Sequence, residues 1–236
     1  MIFILRRKRL TIVSNKRAKP GKRRKWRRNR CVIAISGAAV FILLICGIVS
    51  AILAGKQEEK KKKEKLLPQI TIQTKLLTKN EYSRPGLPLK KVRGVVVHYT
   101  ANPGTDAMSN RNYFNSLPKL NKRKKNKTYA SSHFIIGLEG QIVQCIPLEE
   151  IAYASNERNE DTISIECCHP DKSGEFTSAT YKALLELTSY LCIRFDLDEE
   201  DVIRHYDVTG KMCPLYFVKH EDEWNIFKEQ INKLLR

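Results

Sequence analysis

Residues 92–100 read VRGVVVHYT, a run of β-branched side chains that carries His98 near its end. A run of this kind, broken on both sides by polar and turn-forming residues, is expected as a strand. Three later stretches have the same character: SSHFIIG (131–137), GQIVQCIP (140–147) and TISIECC (162–168). Helical periodicity takes over at Thr177, where Tyr181, Leu184, Leu185, Thr188, Leu191, Cys192 and Phe195 fall on one face, with Thr177 or Ser178 as N-cap. The C-terminal EDEWNIFKEQINKLLR repeats that pattern through Trp224, Phe227, Ile231 and Leu234, with acids early and bases late as the helix dipole favours. Strands mixed with long helices predict an α/β domain, a central mixed sheet flanked by helices, over residues 92–236.

Charge divides the rest of the chain. Residues 1–30 carry 14 Lys/Arg and no acid, residues 31–54 carry no charge, and residues 55–91 carry 11 bases and 4 acids. Residues 92–236 hold 18 bases against 21 acids, so the +18 net charge lies outside the expected domain. The uncharged block CVIAISGAAVFILLICGIVSAILA is long enough as a helix, ~36 Å, to cross a hydrocarbon layer of ~30 Å. It predicts a transmembrane helix over 31–54, with 1–30 a basic cytoplasmic arm and 55–91 a charged linker. The domain over 92–236 is then extracellular on a single-pass cell-membrane protein. The arm reads as a topology signal and lipid contact, not a specific nucleic-acid site. NKRKKNK (121–127) reads first as a solvated loop and second as a contact for an anionic polymer.

Seven cysteines are an odd number, and Cys145, Cys167, Cys168 and Cys192 fall on apolar strand or helix faces, as buried thiols do. Cys213 differs. It lies in RHYDVTGKMCP (204–214) eight residues after His205, in a Gly-broken bend that either packs the thiol as filler or presents it with His205 to a metal. Together with His98 this makes two imidazoles and one thiolate from separate segments, the ligand count of a catalytic zinc site that keeps one position open. In TISIECC, Ser164, Glu166 and Cys168 share one strand face and Ile165 and Cys167 the other. A glutamate there is costly unless its face opens on a polar site or supplies a salt-bridge partner.

VVVHYT, SSHFIIGLEGQIVQCIP, TISIECC and above all RHYDVTGKMCP, in this order over roughly residues 90–232, resemble the zinc-dependent N-acetylmuramoyl-L-alanine amidases of the peptidoglycan recognition and phage-lysozyme-type superfamily. The resemblance implies that His98, His205 and Cys213 are Zn²⁺ ligands, that Glu166 activates water, and that Lys211 steadies the reacting carbonyl oxygen. It implies peptidoglycan as partner and cleavage of the amide between N-acetylmuramic acid and L-alanine. A module that binds peptidoglycan without cutting it is the alternative; non-catalytic members typically lack the cysteine present here. Many relatives have a tyrosine where this chain has Ser132, which moves the acid/base burden to Glu166. His133 is either a substrate-facing residue or a packed polar one.

Overall fold

A computed structural model describes residues 42–58 and 69–236, which fall in two compact units, Met1–Glu59 and Lys60–Arg236. In the first unit, residues 42–58 form helix α1, exposed along its length. The expected membrane-spanning helix is corrected here: among the described residues no helix is long and apolar enough to cross a membrane. The helical residues described would reach only ~26 Å, and they end in Lys56 and Glu58. The single-pass cell-membrane placement, with a cytoplasmic N-terminus and an extracellular catalytic domain, loses its support with that helix. The basic arm 1–30 and residues 31–41 and 59–68 lie outside the described residues.

The second unit is built on one six-stranded mixed sheet in the order β1-β4-β3-β5-β2-β6. Its strands are β1 (Ile72–Thr74), β2 (Gly94–Tyr99), β3 (Phe134–Ile136), β4 (Ile142–Gln144), β5 (Thr162–Cys167) and β6 (Val202–Arg204). Only β3 and β4 pair antiparallel; every other neighbour is parallel. The central sheet flanked by helices is therefore present as the sequence predicts. Its edge reaches upstream of residue 92, because β1 pairs with β4 from within the stretch read as linker.

Helices occupy both faces. Helix α3 (Ser178–Phe195) starts where expected, with Thr177 Oγ1 accepting the Thr180 N–H at 3.0 Å. With α5 (Leu215–Lys219) and α6 (Glu221–Leu235) it covers one face through Leu184, Leu187, Leu191, Phe217, Phe227 and Ile231, packed on Val95, Val97, Ile163 and Ile165. Helix α2 (Ala107–Asn121) covers part of the other, where Ala107 and Phe114 meet Ile135, Val143 and Cys168. The strand alternation holds: Ile165 and Cys167 belong to the α3 side and Cys168 to the α2 side. Cys145, Cys167, Cys168, Cys192 and Cys213 are all buried thiols.

Candidate active site

His98 and Glu166 face each other across the central pair of strands. Parallel pairing of β2 with β5 sets His98 opposite Glu166, so the residue at the end of the β-branched run and the glutamate of TISIECC share a sheet position. On the other side of β2, β6 pairs Val97 with Arg204, and the chain turns there into the short helix α4 (His205–Thr209). The turn is held by Arg204. Buried between α4 and α6, its guanidinium donates to Asp207, to Glu221 and to the Phe217 carbonyl, and lies over the Trp224 ring at 5.3 Å. His205, the first residue of α4, is thus fixed beside His98. Gly210 then ends the helix in the left-handed region (φ 76°), which brings Cys213 back so that its carbonyl accepts the Tyr206 N–H at 2.9 Å.

His98 Nδ1 is 3.1 Å from His205 Nδ1 and 3.8 Å from Cys213 Sγ, and the ligand atoms of the three residues lie within 4.8 Å of one another. Bond lengths of about 2.0 Å to nitrogen and 2.3 Å to sulfur put tetrahedral ligand atoms ~3.3–3.6 Å apart, so the two separations from His98 are near the edges of a tetrahedral centre. The second nitrogen of His98 has a partner suited to the tautomer such a centre would use. Its Nε2 is 3.1 Å from the hydroxyl of the fully buried Ser155, and an Nε2–H donated there leaves Nδ1 as a lone pair. Ser155 is itself clamped: Asn159 Oδ1 accepts the backbone N–H of both Ala154 and Ser155, and Asn156 between them takes a left-handed φ of 52°.

Electrostatics agree with a cation-binding pocket. Burial, then the neighbouring His205 and Lys211, hold the His98 imidazolium well below its usual range, so the ring is neutral. Burial and Lys211 lower His205 likewise, against a smaller opposing pull from Glu157. Burial pushes the Cys213 thiol up to about 12 and Glu166 adds to it, while the Tyr99 backbone and Lys211 pull the other way. A thiolate here needs a stronger positive partner than Lys211, which is what a dication between the three donors supplies. The chemistry and spacing of the donor set fit a metal ion.

These residues open into a cleft of about 380 Å³, whose walls include Tyr99, Phe114, Tyr129, Tyr153 and Asn156, with Glu166 and Lys211 at its floor and rim. Glu166 Oε2 is buried and makes no hydrogen bond, and burial raises the carboxyl to about 8 against the opposing pull of Lys211. Among the described residues Glu166 makes no ion pair. Cys168 stands apart from the cluster, its Sγ 3.6 Å from the Asn110 amide.

His133 is a packed polar residue. Its Nδ1 accepts the Ser164 N–H at 3.0 Å, its Nε2 is 2.9 Å from the Glu150 carbonyl, and it does not line the cleft. Burial lowers its imidazole to about 4. The folded protein therefore refuses a proton that the unfolded chain accepts below about pH 6.5, and stability falls as pH drops from there toward 4. In urea melts between pH 7 and pH 5 this site alone is expected to cost about 2 kcal/mol. A His133→Asn variant should show a correspondingly flatter pH dependence; an unchanged slope would mean the ring is charged in the fold.

Ser155, Asn159 and Arg204 escaped the reading of the sequence. The one local sign was the Asn and Glu cluster of SNERNE (155–160), which looks like an ordinary surface turn.

A family model described as N-acetylmuramoyl-L-alanine amidase matches residues 88–215, more than half of the chain. The chain belongs to the N-acetylmuramoyl-L-alanine amidase family. The matched segment runs from just before β2 to just after Cys213, so it contains the cluster and the cleft floor. N-acetylmuramoyl-L-alanine amidase CwlL of Bacillus licheniformis is 36% identical over 168 residues, covering 66% of this chain and 45% of that protein. The chain thus spans less than half the length of the curated relatives it matches. Among solved structures, a mutant endolysin from Bacillus subtilis is 25% identical with a TM-score of 0.56, covering 69% of this chain and 99% of that one. The catalytic domain of XlyA, 24% identical, has a TM-score of 0.56 over 69% of this chain and 99% of its own, a likeness of fold.

Proposed function

We propose that the domain over residues 69–236 is a zinc amidase that hydrolyses the amide joining N-acetylmuramic acid to the L-alanine of peptidoglycan stem peptides. The observation that carries this reading is the juxtaposition of the His98, His205 and Cys213 donor atoms with an unpartnered Glu166 carboxyl in one cleft. Family membership supports the bond that is cut. A module that only binds peptidoglycan has no need of a thiol donor or of an orphaned buried carboxyl.

His98, His205 and Cys213 would hold the zinc, and Ser155 would keep His98 in the tautomer that binds. When bound, the ion supplies Lewis acidity toward the scissile carbonyl and toward water in the cleft. Glu166, with no hydrogen-bond partner of its own at Oε2, takes the proton of the attacking water and returns it to the alanine nitrogen as the C–N bond breaks. The Lys211 ammonium at the rim offsets negative charge on the carbonyl oxygen. Tyr99, Tyr129 and Tyr153 give the sugar and peptide flat apolar faces, and Asn156 offers an amide group to the acetamido substituent.

The test is release of free L-alanine amino groups from a soluble muramyl peptide by the full chain. Activity should be lost in a chelator and return on adding zinc. Intact substrate after overnight incubation of zinc-loaded protein, with peptidoglycan still retained on it, would turn the reading toward the binding module.

A further inference from the structure

We infer that the loop after α2 is a docking surface for a polyanion, specifically a phosphodiester polymer carried by the wall, that holds the cleft against its substrate. The inference rests on the amidase reading for its consequence, but not for its binding.

Residues 119–127 hold six cations, Lys119, Lys122, Arg123, Lys124, Lys125 and Lys127, and no acid. The rest of residues 92–236 holds 12 bases and 21 acids, so a domain otherwise at −9 places a third of its positive charge in nine consecutive positions. All six side chains are exposed. Among the described residues none of the six pairs with a carboxylate. Elsewhere Arg84, Arg158, Lys182, Arg204 and Lys228 each meet an acid. A solvated run held only for solubility would not need to be shaped, yet this one is. Asn121, fully buried at the end of α2, donates its amide to the Thr128 carbonyl at 2.8 Å and accepts the Thr128 N–H at 3.0 Å, closing residues 122–127 into one loop. Lys127 Nζ donates to the Asn121 carbonyl and Lys124 Nζ to Thr128 Oγ1, so two of the cations are themselves held in place.

The clasp also joins the loop to the site. Tyr129, directly after Thr128, lines the cleft and packs on Tyr82 and Tyr153 at ring separations of 5.4 and 5.8 Å, and Ala130 and Ser131 continue the same wall. Lys127 and Tyr129 are two residues apart, at most ~7 Å along the chain. A polymer lying on the loop therefore runs past the mouth of the cleft. Lysines dominate the set, and as flexible point charges they suit a chain of repeating phosphates better than one planar carboxylate that an Arg fork would grip. Docking of this kind raises the local concentration of any substrate attached to the same wall, which lowers KM and leaves kcat alone.

The experiment uses the full chain and compares two quadruple variants of equal charge. One replaces Lys119, Lys122, Arg123 and Lys125 by Gln, sparing the clasp; the control replaces Lys172, Lys182, Lys219 and Lys233 by Gln. The N-terminal basic arm is common to both and cancels. Affinity for soluble poly(glycerol phosphate) at low salt is expected to fall ~10-fold or more in the loop variant and less than about twofold in the control. On walls that carry phosphate polymer the loop variant should show a raised KM and an unchanged kcat, and on walls stripped of it the two variants should coincide. Equal polymer affinity in both variants overturns the proposal. So does a KM that rises as much on stripped walls, because the loop would then be reading the glycopeptide itself. Absence of turnover in the unmutated chain, with the polymer-binding difference intact, would count against the amidase reading and leave the docking surface standing, whereas turnover lost only in the loop variant overturns the proposal.

Discussion

Replacing Cys213 by serine is expected to remove zinc and activity together, with zinc in the purified protein falling from about one per chain to below about a tenth. The argument lies in the charge of the donor set. Two neutral imidazoles hold a dication weakly, and the thiolate is the only anionic donor among the three. Its pKa is pushed up to about 12 by burial, so without a metal the pocket stays neutral, and with a metal the proton leaves and the pair of charges is compensated. A serine hydroxyl at the same place does not ionise in this way. The fold should survive, since the substitution leaves one small buried polar group at a cost of about 1–3 kcal/mol. Cys192→Ser is the matched control: that thiol is also buried and also held up near 12, but it sits on α3 in the apolar core and outside the cluster. It should lose a similar amount of stability and keep its zinc. Full zinc occupancy in the Cys213 variant, measured by elemental analysis, would remove Cys213 from the centre.

What the sequence disclosed depended on whether the physics was local. β2, β3, β4 and β5 were legible because β-branched and aromatic runs bounded by Gly and Pro have few other uses, and α3 and α6 because a clean apolar stripe repeats through them. α2 was hidden by its own chemistry. Its buried positions are Ala107, Asn110, Phe114, Leu117 and Asn121, so two of the five residues facing inward are asparagines, and Pro118 stands inside the helix. β1 and β6 lack an apolar run of their own that continues beyond three residues, and are set by their pairing with β4 and β2. The cluster of His98, His205 and Cys213 was suggested by type and spacing, while Ser155 and Arg204 are ordinary residues made special by tertiary contacts, Ser155 with His98 and Arg204 with Phe217 and Glu221. The transmembrane expectation rested on composition alone, and the helix described from 42 to 58 does not have the length to meet it.

Glu166→Gln is expected to lower kcat by ~10² to 10⁴ while KM, zinc content and melting temperature change little. Glutamine matches the carboxyl in size and can still accept a hydrogen bond, so what is removed is the ability to take a proton. The alternative role, a buried salt-bridge partner, predicts a loss of stability on the order of 3 kcal/mol, because a buried cation would be stranded. The geometry disfavours that outcome: Oε2 meets no donor, and among the described residues no Lys or Arg pairs with Glu166. Burial raises the carboxyl to about 8, so in the metal-free cleft it holds its proton at neutral pH, whereas a dication on the adjacent donors and the Lys211 ammonium both draw it down toward the range a base needs. The wild-type rate should therefore climb with pH through this carboxyl's titration, and the variant should lose that limb of the profile along with its turnover. Single-turnover release of L-alanine-terminated peptide, with zinc and melting temperature read on the same sample, distinguishes the cases. Near wild-type turnover in a folded, zinc-loaded Glu166→Gln protein would end the proposed role and pass the proton to another group lining the cleft, with Lys211 the first to test.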